Sequence, residues 1–99
     1  MKAILRLHSR VVQPDGTIVE MVVWELPKAT SDRPHALKYR LYCGRDGKCL
    51  VRYDNESGKA EHLHYGEIEQ QYRFSTWEKL MQDFLADVDR LTGDSNEKA

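Results

Sequence analysis

An α+β fold, with an antiparallel sheet of four to five strands covered by one C-terminal α-helix, is predicted by three features. Apolar and polar residues alternate through the first 74 positions, the next 18 repeat at spacings of three and four, and turn-forming residues separate the apolar runs. The first strand is read where Leu5, Leu7 and Val11 alternate with Arg6, His8 and Arg10, with aliphatic groups on one face and cations on the other. Pro14-Asp15-Gly16 then supplies a turn. From Thr17 to Leu26 nearly every residue is apolar or β-branched, the pattern of a central strand covered on both faces. Pro27 ends that strand because proline cannot donate to a ladder.

Lys28 to Pro34 is polar without periodicity and reads as an exposed loop. A third strand follows, in which Leu37, Tyr39, Leu41 and Cys43 alternate with Lys38, Arg40 and Tyr42, and a fourth runs from Lys48 to Asp54. Arg45-Asp46-Gly47 joins them as a hairpin loop. A three-residue loop would set Cys43 opposite Cys49, whereas a turn of Asp46-Gly47 alone would slip the register and separate them. Gln70 to Phe74 is a candidate fifth strand. Ser75-Thr76-Trp77-Glu78 fits a capping box with Ser75 at the helix N-cap. Trp77, Leu80, Met81, Phe84, Leu85, Val88 and Leu91 then form an apolar stripe that should cover the sheet. Gly93 is placed for a left-handed C-cap, so residues 1–93 form one domain and 94–99 a disordered tail.

Ninety-nine residues, 40% of them hydrophobic and 31% charged, suffice for one modest core. No run of about 18 apolar residues could span a bilayer. Arg6 arrives too early for a signal-peptide apolar region, so a soluble cytoplasmic protein is expected. Two cysteines are too few for the disulfide framework of a small secreted domain. The net charge of −1 names no partner, but its distribution is uneven. From Arg33 to Tyr53, six cations (Arg33, Lys38, Arg40, Arg45, Lys48, Arg52) stand against Asp46 alone, which suggests a basic sheet surface. Such a surface either keeps the protein soluble or receives an anionic ligand such as RNA.

The richest chemistry lies from Arg52 to Tyr65. Arg52, Tyr53, Asp54, Asn55, Lys59, His62, His64 and Tyr65 fall within 14 residues, directly after a predicted strand. In an extended chain His62 and His64 project to one side and Leu63 to the other. Two imidazoles can serve as metal legs or as a general acid and base. Asp54 and Cys49 are available as further metal ligands but lack a diagnostic zinc spacing, so no metal and no cofactor are expected. Acid–base cleavage of RNA by its own 2′-hydroxyl requires a base, an acid and cations near the phosphate. His62, His64, Arg52 and Lys59 supply those types, and Tyr53 or Tyr65 could stack on a base. Asp54-Asn55 also fits a simple turn, with the histidines as surface residues.

The run Arg52-Tyr53-Asp54-Asn55, followed by His62-x-His64, resembles the TumE-like toxins of toxin–antitoxin modules. Val22-Val23-Trp24-Glu25-Leu26-Pro27, Lys38-Tyr39-Arg40-Leu41 and Phe74-Ser75-Thr76 share in the similarity, which extends from about Ile18 to Val88. The resemblance implies a small prokaryotic toxin acting on RNA and bound by a helix-turn-helix antitoxin. It bears on Tyr53, Asp54, Asn55, His62 and His64. The resulting expectation is a metal-independent endoribonuclease. His62 and His64 divide the acid and base roles, Asp54 orients one imidazole, and Arg52, Tyr53, Asn55, Lys59 and Tyr65 contact substrate. The competing class is a binding module for protein or nucleic acid, without chemistry. An exposed edge on the long early strands would suit a partner or a homodimer.

Overall fold

A computed structural model describes residues 2–29, 35–55 and 61–93. Six antiparallel strands follow one another in sequence order across one sheet: β1 (Ile4–Val12), β2 (Ile18–Glu25), β3 (Leu37–Arg45), β4 (Lys48–Asp54), β5 (His62–Tyr65) and β6 (Ile68–Gln71). Helix α1 (Trp77–Thr92) completes the α+β fold. Two more strands exist than the four clearest runs suggested, because β5 and β6 are only four residues each. They flank a Gly66-Glu67 turn in which Gly66 adopts φ 61°. The expected fifth strand begins two residues earlier and ends at Gln71.

Helix α1 lies on one face only. Leu80, Phe84 and Val88 are buried against Val19, Val23, Tyr39, Leu41, Cys43, Val51, Tyr53 and Leu63. The expectation that β2 is covered on both faces is therefore corrected: Val19 and Val23 are buried, but Trp24 on the other face is exposed. A single helix has no second layer to offer, and hydrophobic composition does not distinguish a two-sided strand from a one-sided strand with apolar residues facing solvent. Edge strand β1 likewise exposes Ile4, Leu5, Val11 and Val12.

The helix starts one residue later than the capping box implied. Thr76, not Ser75, is the N-cap, and its hydroxyl accepts from the Lys79 backbone N–H at 3.1 Å. Gly93 closes the helix in the left-handed conformation, φ 72°, as expected. Leu85 departs from the predicted stripe, at 44% exposed, while Asp87 is buried. The tail at 94–99 lies outside the described residues.

Between β3 and β4 the turn is Asp46-Gly47, both at positive φ (55° and 75°), so the two-residue alternative holds. Cys43 pairs with Val51 and Cys49 with Gly44 across an irregularity, which separates the two free thiols. Gly44 is required there, because a Cβ would collide with the Tyr42 hydroxyl and stand 2.8 Å from the Lys48 carbonyl oxygen. The register from β3 to β6 aligns Arg40, Asp54, His62 and Gln71 in one row across the strands, and Tyr42, Arg52, His64 and Glu69 in the next. Acids thus alternate with the cations on this open face: Glu20 lies 3.9 Å from Arg40, and the surface is mixed rather than uniformly basic.

Candidate active site: an Asp–His–His cluster on the open sheet face

Alternation along β4 sends Val51 and Tyr53 to the helix and Arg52 and Asp54 to the opposite face. Antiparallel pairing with β5 sets His64 beside Arg52 and His62 beside Asp54. Four of the predicted site residues therefore meet. His62 Nε2 lies 2.7 Å from Asp54 Oδ1, and Arg52 Nε lies 2.8 Å from Oδ2. The two imidazoles stand edge to face, with centroids 5.0 Å apart and planes at 74°.

These groups are largely withdrawn from solvent. Asp54 is 2% exposed and His62 6%, so a carboxylate and an imidazole sit where their mutual contact is little screened. His64 is half-buried, and its Nε2 is buried with no hydrogen-bond partner among the described residues. Burial, followed by the Arg52 charge, holds the His64 imidazole below its usual pKa, outweighing the opposing pull of Glu69 and Asp54. Its neutral form therefore prevails near pH 7, and a neutral ring nitrogen can accept a proton. Sequence reading missed Glu69. Its carboxylate lies 3.7 Å from His62 Nε2 because β6 pairs it with His64, and only that register reveals it.

Tyr53, Asn55 and Tyr65 are not brought to this cluster. The Tyr53 and Tyr65 hydroxyls both donate to Asp87 Oδ2 on α1, at 2.6 and 2.7 Å, and Arg90 donates to Oδ1 at 2.8 Å. Tyr53 is 3% exposed and offers no open face for base stacking, while Arg90 lies over one side of the Tyr65 ring, 5.5 Å from its centroid. The physical reason is the period of two: in a strand, neighbours of site residues point away from the site. Asn55 braces the sheet instead. Its side chain accepts from the Tyr39 backbone N–H at 3.0 Å and donates to the Leu37 carbonyl at 2.8 Å. Lys59 lies outside the described residues.

A second, half-buried pair escaped sequence reading. His35 Nε2 contacts the Glu61 carboxylate, its Nδ1 accepts from the Leu37 N–H at 3.0 Å, and its ring lies 4.2 Å from that of Phe74. These residues come from separate loops with no shared motif, and only the folded chain joins them.

The comparison with known families places this sheet-and-helix domain, with its Asp–His–His cluster on the sheet face away from the helix, among the toxins. The chain is a member of the toxin TumE family, whose model matches residues 2–92, a wider span than the motifs alone indicated. Searches of curated proteins and of solved structures gave no match. Membership in a toxin family implies a cognate antitoxin as partner. No helix among the described residues is long and apolar enough to cross a membrane.

Proposed function

We propose that this toxin is a metal-independent endoribonuclease of the prokaryotic cytoplasm, controlled by a helix-turn-helix antitoxin. The observation that carries the reading is the unpartnered, neutral-leaning His64 beside the Asp54–His62 pair. His64 serves as base toward a 2′-hydroxyl of RNA, and His62 returns a proton to the departing 5′-oxygen. The 2′-oxygen forms the new bond to phosphorus as the 5′-oxygen leaves, which yields a 2′,3′-cyclic phosphate end. His62 enters the step as the imidazolium, Asp54 fixes its ring and stabilises that charge until the proton is given up, and Arg52 stands beside the cluster to offset charge growing on the phosphate. Lys59 is retained from the sequence as a second phosphate contact.

The test is bacterial growth after induction of the wild type and of His62→Ala/His64→Ala at equal soluble levels, with RNA ends mapped. Arrest by the wild type alone, with cleavage in EDTA and cyclic phosphate ends, supports the reading. Equal cleavage by the double variant overturns it.

The burial of His62 favours a second reading, a binding module that occupies its target without chemistry. Target capture without new RNA ends would establish that one.

A further inference from the structure

We infer that Asp54, His62 and His64 form a binding site for one divalent transition ion of borderline softness, with Zn²⁺ the representative case. Each residue offers one ligand atom, and the three atoms lie within 4.8 Å of one another. Ligand atoms around a tetrahedral ion at bond lengths of about 2.0–2.2 Å stand about 3.3–3.6 Å apart, so side-chain rotations of about an ångström close the group on an ion. Two imidazoles and one carboxylate suit zinc, cobalt, nickel or iron better than the hard ions calcium and magnesium, which prefer all-oxygen shells.

Two further observations set this group apart from an ordinary surface cluster. His64 Nε2 is buried yet has no hydrogen-bond partner among the described residues, a cost that proteins seldom carry without a use. The ligands also sit on two hydrogen-bonded strands, with Asp54 directly opposite His62, so the set is held by the ladder and not by a loose loop. Glu69, half-exposed and 3.7 Å from His62 Nε2, is at hand for the remaining position. Cys49, the other candidate from the sequence, is not part of the group.

Arg52 opposes the ion. Its Nε lies 2.8 Å from Asp54 Oδ2, so a bound dication would share that carboxylate with a guanidinium. The site is therefore tuned toward modest affinity and reversible occupancy. An ion held there engages both imidazoles, so occupancy and proton transfer by the pair exclude one another. This last consequence rests on the nuclease reading, whereas the binding itself does not.

The experiment is calorimetric titration of the full chain, freed of metal by EDTA and desalted, with zinc chloride, alongside Co²⁺ absorption in the visible. The expected result is one ion per chain and the ligand-field bands of a bound cobalt. His64→Ala should weaken binding by more than the roughly 10–100-fold that loss of an outer-sphere partner costs. His8→Ala, on exposed β1, should leave it unchanged. Arg52→Gln gives an independent readout if the alanine variant folds poorly: removing the competing cation should tighten binding by about ten-fold. No stoichiometric binding by the wild type, or affinity indifferent to both His64 and Arg52, overturns the site. RNA cleavage plays no part in this readout, so its outcome is separate from that of the nuclease test.

Discussion

The carboxylates on the two sides of strand β4, those of helix α1 and Asp54 of the strand itself, are in different states of satisfaction. On the helix side, Asp87 receives two tyrosine hydroxyls and Arg90, while Asp83 receives the Tyr72 hydroxyl at 2.7 Å and Lys79 at 2.6 Å. On the open side, Asp54 is shared by Arg52 and His62 as ion-pair neighbours, and the adjoining His64 keeps a buried nitrogen with no partner among the described residues. The Tyr39 hydroxyl in the helix-side core also lacks a partner among the described residues, but on the open side Arg52 Nε, Asp54 Oδ1 and His64 Nε2 are unmet together, and such a cluster is a standing cost that function can explain. The helix side is the scaffold, and the open side is where chemistry is to be sought.

The largest test of that division is Phe84→Ala. Phe84 is fully buried, and its ring meets that of Tyr53 edge-on with centroids 5.8 Å apart. Truncation should cost about 3–5 kcal/mol, a large share of the stability of a small domain, as read by urea unfolding. His64→Ala, on the open face, should cost far less. Comparable losses for the two variants would erase the distinction between scaffold and site.

Much of this division was legible in the sequence, for a definite reason. Alternation in Leu37–Cys43 and the three-and-four spacing of Leu80, Phe84 and Val88 name the core directly. His-x-His puts two imidazoles on one side of any extended chain, and the structure keeps them there. What failed was the neighbourhood. Reading residues 52–65 as one cluster of substrate contacts hid that Tyr53 and Tyr65 face the helix, because a run of polar and aromatic residues does not announce its alternation. Asp87 looked like solvent-facing charge because its burial depends on tyrosines 34 and 22 positions away. Glu69, and the pairing of His35 with Glu61, exist only once register and loop path are known.

A smaller effect is expected of Tyr53→Phe. Removing this hydroxyl takes one donor from Asp87 but leaves Tyr65 and Arg90 in place, so the carboxylate is not orphaned. Hydrogen bonds to charged groups contribute about 1.5–3 kcal/mol, and the remaining partners favour the lower end. The same contact fixes the Tyr53 ionisation: burial first, then the Asp87 hydrogen bond and charge, push the phenol far above its normal pKa. Tyr53→Phe should therefore lower the urea midpoint while leaving growth arrest intact. A variant of wild-type stability that no longer arrests growth would move Tyr53 from scaffold to site.

The smallest expected effect lies in the pH dependence of stability, and it separates the faces by pH range. His64 has a lowered pKa in the folded chain, so on acidification the unfolded chain binds this proton first, near the ordinary value of 6.5. Stability should fall as pH drops through that value and level off below the folded-state pKa. Asp83 titrates lower and for another reason. Burial alone would raise it, but the Lys79 and Tyr72 hydrogen bonds outweigh burial and bring it below 3.8. Its contribution is present above that ordinary value and lost only as pH falls through the depressed one. His64→Gln should therefore flatten the decline between about pH 7 and pH 5 and leave the more acidic limb unchanged. Asp83→Asn should alter the acidic limb alone. Unfolding midpoints measured across pH for the three chains decide this: if His64→Gln follows the wild-type curve throughout, the open-face imidazole is not held neutral, and His64 loses its claim to the base role.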